Sequence, residues 1–294
     1  MSGAGSRRGR GGPARAPLWS TPALLLALTA LGERSAAQEC RHVRGGRAVA
    51  IGGAVAAAGL GMALAHPSDW WLGPPRSFHA EWVAIGGSPA AGQDYLLHVA
   101  VSYQASQAGA IVWRWACTSP LGAAWLGAAT AFALGLPKKV VDGFHDAGFE
   151  AAKVLANAAG AALPVVHQRW PATRALALKL WYAPSREYRE RTGPEPTLLS
   201  DYAGQRYHLS LNPARGGLDG GWPPWLGVAV GHGTPGWVAT WPARHVWFVA
   251  LDLEWRGLPV RAAWWRRVAA ALDQVHLPAP GVRLRRGSVD WGLF

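Results

Sequence analysis

Between positions 94 and 166 the chain is apolar almost throughout, and its few polar groups recur at helical spacing. Asp94 and His98 are four residues apart and share a helix face, with Ser102 one turn further on. Lys138 and Asp142 repeat that spacing, His145 lies three beyond, and Asn157 is the polar member of a third apolar stretch. The pattern predicts helices from Asp94 to Ala116, from Leu121 to about Phe144 and from Phe149 to Val166, broken at Thr118–Pro120 and at Asp142-Gly143. Upstream, residues 48–65 (AVAIGGAVAAAGLGMALA) carry no charge. They just reach the length of a membrane span, and their Gly and Ala content suits a buried helix equally. From His66 to Gly92, Pro and Gly predict a loop. Its Trp70, Trp71, Phe78 and Trp82 place it on a membrane or protein surface.

Beyond Leu180 periodicity fades and Pro and Gly increase. Two stretches still alternate as strands do: RYHLSLN (206–212), closed by the turn chemistry of Asn212-Pro213, and HVWFVALDLEW (245–255). Residues 260–275 predict an amphipathic helix carrying Arg261, Arg266 and Arg267, and the last stretch a short strand. WLGVAVGHGTPG (225–236) lacks the GxGxxG order of a nucleotide site, so its glycines are expected to let loops approach the helices. At the other end, SRRGRGG, PLWSTPALLLALTALG and ERSAAQ form the three regions of an export signal, with a cut expected after Ala37. The expected organisation is therefore an export signal (1–37), a helical membrane-associated domain (38–180) and an irregular α+β C-terminal region (181–294). The expected fold class is mainly α, a small Ala/Gly-rich helical bundle.

Composition sharpens this. Of 294 residues, half are apolar and 16% charged, against roughly 25% in an ordinary soluble domain. The net charge of +12 comes from 29 basic residues against 17 acidic ones. They are scattered between apolar runs, and no nucleic-acid-binding module accompanies them, so an anionic membrane surface is the expected partner and nucleic acid is not. Eighteen Trp against six Tyr and six Phe fit a membrane–water interface and core packing alike. The two cysteines, Cys40 and Cys117, exclude a disulfide framework and a cysteine metal site. Cys117 reads as a buried thiol.

If the three helices pack, Asp94, His98, Lys138, Lys139, Asp142 and Asn157 form one polar cluster inside apolar surroundings. Two chemistries are open to it. A His beside carboxylates can act as a general base, making Asp94, His98 and Asp142 catalytic candidates, although no GxSxG or HExxH accompanies them. Mutual pairing is the alternative and ranks first, so no catalytic residue is assigned. Asp94, His98, Asp142 and His145 could in principle ligate a metal, but the two lysines would repel a cation, so no metal or other cofactor is expected.

The ordered set SFHAEW (77–82), DYLLHVAVSY (94–103), PKKVVDGFHDAGF (137–149), KVLANAAGAAL (153–163), LLSDYAGQRYHLSLNP (198–213), WPPWLGVAVGHG (222–233) and FVALDLEW (248–255) resembles the YfiM-like family of predicted periplasmic lipoproteins, a domain of unknown function numbered 2279. The resemblance runs from about Trp70 to the end. It implies an envelope protein of a Gram-negative bacterium, on the periplasmic side, and recurring polar positions at Asp94, His98, Asp142 and Asn157. Tyr95 stands where the family usually has lysine and Lys139 where it has an acidic residue, a joint change that fits a rearranged ion pair. Cys40 lacks a lipoprotein context. The expected function is a structural or interaction role at a membrane, with membrane lipid and an envelope protein as partners. The alternative is a hydrolase or transferase acting on a lipid or cell-wall intermediate through a His/Asp centre.

Overall fold

The computed structural model describes residues 40–64, 75–82, 90–192, 197–218, 220–235 and 244–294. The export-signal stretch and Trp70 and Trp71 lie outside them. Four long helices come first: α1 (Cys40–Leu64), α2 (Gln93–Trp115), α3 (Pro120–Asp142) and α4 (Ala151–Arg169). Ser119 starts α3, its hydroxyl accepting from the Gly122 amide at 3.1 Å, and Pro120 supplies a first residue with no amide to satisfy. Two short parallel strands, β1 (Ala80–Glu81) and β2 (Phe149–Glu150), tie the loop before α2 to the start of α4.

Glycine lets the helices close on one another. A Cβ on Gly127 would sit 2.4 Å from the Ser106 carbonyl oxygen, and one on Gly160 2.1 Å from that of Val99. Backbone meets backbone at both crossings, and Ala124, Ala128, Ala131, Ala161 and Val165 fill the space between.

The C-terminal region departs from the expected mainly α fold. It holds a six-stranded antiparallel sheet in sequence order: β3 (Leu176–Tyr182), β4 (Gln205–Leu211), β5 (Leu226–Gly233), β6 (Val246–Leu253), β7 (Pro280–Arg285) and β8 (Ser288–Leu293). The short helix α5 (Arg186–Thr192) follows β3, and α6 (Ala263–Leu272) lies between β6 and β7. The chain is thus α+β, a helical layer joined to a meander. The other edge of β3 is also occupied: Leu180 N donates to Gln274 O at 3.2 Å, and His276 N to Leu180 O at 3.3 Å. Because the chain runs on from there into β7, the sheet curls until its two sides are linked through residues 274–280.

The two faces of this sheet have opposite character, and the character is inverted. Leu209, Val230 and Leu251 point outward, 50, 49 and 44% exposed, while Lys179, His208 and Ser210 are fully enclosed. The outer side is thus almost wholly apolar, while the inner one mixes these polar groups with Ala177, Ala229, Val246, Phe248 and Ala250. The corner of the outer face at β3 and β4 is covered by α2, whose Leu97 and Ala100 pack on Leu180 and Tyr207. The rest is bare.

Candidate functional site

The polar groups of the helical layer fall into three linked sets. Asp142 holds two ammonium groups at once, Lys138 and Lys139 both at 2.8 Å. Lys153 of α4 bridges Glu150 at 2.6 Å and Asp94 at 3.3 Å, and Tyr95 donates its hydroxyl to Glu150. Between these pairs His98 meets Asn157, its Nδ1 lying 3.0 Å from Oδ1, and Ser102 donates to the same oxygen at 3.0 Å. Asp94, His98, Lys138, Lys139, Asp142 and Asn157 thus sit on facing surfaces of α2, α3 and α4, joined by Glu150, Lys153 and Tyr95. Three carboxylates face three ammonium groups, so the cluster is electrically balanced while His98 stays neutral. Burial and then the Lys139 charge do keep it neutral, lowering its pKa to about 4 against the opposing pull of the Asn157 hydrogen bond.

The arrangement differs from a His/carboxylate centre, in which a carboxylate orients the ring and stabilises its charged form. Here the Nδ1 partner is a neutral amide, and Asp94 and Asp142 are each engaged by lysine. No group of three or more His, Cys, Asp or Glu suited to a metal ion occurs among the described residues.

A second network, inside the curled sheet, was not signalled by any motif. Lys179 of β3 is fully enclosed, and its ammonium reaches Asp252 at 2.5 Å, Glu254 at 3.2 Å and the Leu253 carbonyl at 3.2 Å, which uses all three of its protons. Asp252 also accepts from Ser210 at 2.5 Å and lies 2.8 Å from His276 Nδ1. The other nitrogen of His276 faces the Phe294 carbonyl at 3.0 Å. Both ring nitrogens of His276 therefore face oxygen atoms. Burial alone would raise the Asp252 pKa, but the bond from His276 and the Lys179 charge outweigh it and bring it to about 2. Arg215 completes the set on Glu254 at 2.9 Å. His208 stacks on His276 at 3.8 Å, and neither of its ring nitrogens hydrogen-bonds a described residue. Burial first, and then the charge of His276, lower the His208 pKa to about 3.

Ser210, Asp252 and His276 have the composition of a hydrolytic triad but not its connectivity. The serine donates to the aspartate rather than to the histidine, and all three side chains are enclosed. The sequence signal that could have found this network is a spacing of two. Asp252 with Glu254, and His208 with Ser210, each fall on one side of a strand.

A third link joins the layers. His232 of β5 lies 2.9 Å from Gln93 Oε1 through Nδ1 and 3.1 Å from His245 through Nε2, and Gln93 in turn donates to the Gln205 carbonyl at 3.0 Å. The start of α2 is thereby fixed to the sheet.

Cys117 is disulfide-bonded, which corrects its reading as a buried thiol. The only other cysteine in the chain is Cys40, the first residue of α1.

No family model matches the chain, and no curated protein or solved structure matches it.

Proposed function

We propose that the protein is a non-enzymatic component of a bacterial cell envelope, lying against a membrane with its apolar outer surface and serving a structural or interaction role there. The observation that carries this reading is the inverted sheet. A protein surrounded by water on all sides gains nothing by enclosing Lys179 and Asp252 while exposing Leu209, Val230, Leu251 and Trp291, the last at 82%. Against hydrocarbon the same partition is favourable, because the outer side chains meet lipid and every charge stays paired inside. A shallow groove of about 290 Å³ on this outer face is lined by Val228, Val249, Leu251, Pro280, Val282 and Trp291. The helical layer agrees: Val49, Leu60, Trp125 and Leu155 each stand at least 60% exposed. α3 is the one helix among the described residues long and apolar enough to cross a membrane. The strands, at six to eight residues, fall short of the roughly nine to eleven that a spanning strand needs.

Placement in the envelope is part of the same proposal, as is membership of the YfiM-like family, which rests on the ordered motifs alone. A disulfide at Cys117 supports it, since disulfides persist outside the reducing cytosol. The His/Asp hydrolase reading gains no support, since His98 is turned to an amide and the nearby Ser102 hydroxyl donates to that same amide oxygen.

The test uses intrinsic tryptophan. Purified full-length protein is added to vesicles containing phospholipids brominated on their acyl chains. Contact with hydrocarbon quenches the emission, and the tagged protein stays with membranes through carbonate extraction. Unchanged emission together with recovery in the carbonate supernatant would overturn the proposal.

A further inference from the structure

At one end of the curled sheet, a set of tryptophans and the arginines in and just before α6 take no part in either polar network. β3 begins at Leu176 and β4 ends at Leu211, its partner in register; β5 begins at Leu226 and β6 ends at Leu253, likewise partners. The segments leaving this end carry Trp170, Trp222, Trp225, Trp255, Trp264 and Trp265. They form one rim. The Trp222 indole donates to Leu226 O at 2.5 Å, Glu254 N to Trp225 O at 2.9 Å, and Trp255 N to Asp273 at 2.7 Å, just past the end of α6. Trp255 and Trp265 meet edge to face at 6.1 Å.

Three of these rings project from the rim: Trp170, Trp225 and Trp264 are 55, 42 and 62% exposed. Arg261, Arg266 and Arg267 flank Trp264 along the chain, all exposed and none in an ion pair with a described residue. The Arg169 guanidinium lies 5.6 Å from the centre of the Trp170 ring. Exposed indoles beside unmatched arginines, bordering a bare apolar face, are what a membrane–water boundary selects. The indole is satisfied half in and half out of hydrocarbon, and the guanidinium fork fits phosphate.

We propose that this end of the sheet is a headgroup-binding rim for anionic phospholipid. Trp170, Trp225 and Trp264 lie at the boundary, and Arg261, Arg266 and Arg267 bind lipid phosphates, which fixes the end of the sheet that meets the headgroups. This rests on the membrane reading above and adds to it a lipid class and an orientation. The chain's net charge of +12 is complementary to such a surface.

The experiment compares vesicles of phosphatidylcholine with vesicles that also contain phosphatidylglycerol. Binding is measured for full-length protein, for a variant combining Arg261→Gln, Arg266→Gln and Arg267→Gln, and for Arg286→Gln, an exposed arginine at the opposite end of the sheet. The expected result is tighter binding to the anionic vesicles, weakened by salt. The triple variant loses roughly a hundredfold of that preference, at about 1 kcal/mol for each arginine near an anionic surface, while Arg286→Gln keeps it. A triple variant with a native unfolding midpoint and an unchanged preference overturns the rim. So does equal binding to both vesicles with strong acyl-chain quenching, a result that leaves the membrane reading standing. Absence of binding to either vesicle overturns both, and capture of RNA by the three arginines without vesicle binding replaces lipid by nucleic acid. Should the triple variant not fold, Trp264→Phe decides. It must lose part of the quenching by a headgroup-labelled lipid, and unchanged quenching overturns the rim.

Discussion

Asp142 compensates two lysines, one of them enclosed, so its removal strands positive charge inside the helical layer. Asp142→Ala is expected to cost about 3–5 kcal/mol, read as a fall in the midpoint of chemical unfolding, with a smaller loss for Lys138→Met at the more exposed partner. His98 gives a different signature. Its pKa is lowered from 6.5 to about 4, so between those values the unfolded chain binds a proton that the folded one refuses. Stability therefore falls as the pH drops through that window. His208, at about 3, and His232, at about 4, act in the same direction. Proton uptake on unfolding, taken from the pH dependence of stability near pH 5, is expected to fall by about one proton in His98→Gln. An unchanged uptake would mean that His98 is charged in the folded protein.

At the scale of elements, glycine has two opposite roles. Gly127 and Gly160 lie where helices touch, and Gly160→Ala should destabilise by about 1–3 kcal/mol, since the added methyl group has only the Val99 backbone to displace. Gly53 on α1 has nothing within 4 Å, and Gly53→Ala should stabilise by about 0.5–1 kcal/mol. Thermal melts of the two variants test the contrast. Residue spacing and strand glycines explain what could be read in advance. Helices were legible from the four-residue spacing of Asp94 with His98 and of Lys138 with Asp142, and they run over Gln93–Trp115 and Pro120–Asp142. The alternation of 245–255 likewise coincides with β6 at Val246–Leu253. β5 was hidden. Its inner positions include Gly227 and Gly231, because the Ser210 and His208 side chains of β4 occupy the space a methyl group would need, and glycine erases the alternation that identifies a strand. β3 was hidden by Lys179, a charge at an inner position of an otherwise apolar run. A lysine reads as solvent-facing unless its partners Asp252 and Glu254, far along the chain, are known. The helical cluster could be anticipated because its members lie on neighbouring helices. The sheet network could not, since its members come from four separated stretches.

Over the whole molecule, the bonded Cys117 implies that purified, unreduced protein exposes no reactive thiol after unfolding. A maleimide mass tag should add nothing until a reductant is present, and labelling without reductant would show that the cross-link is missing. The closure of the sheet has a consequence in time. β3 is flanked by β4 on one side and by residues 274–276 on the other, and the carboxylates that neutralise Lys179 arrive only with β6 and the residue after it. During synthesis the strand made first therefore waits for the last part of the sheet to emerge. Until then its ammonium must keep its water and its outer leucines have no fixed place. A ribosome stalled before residue 252 would hold a nascent chain with helices able to pair and a strand that cannot yet commit, a natural point for a chaperone to take hold.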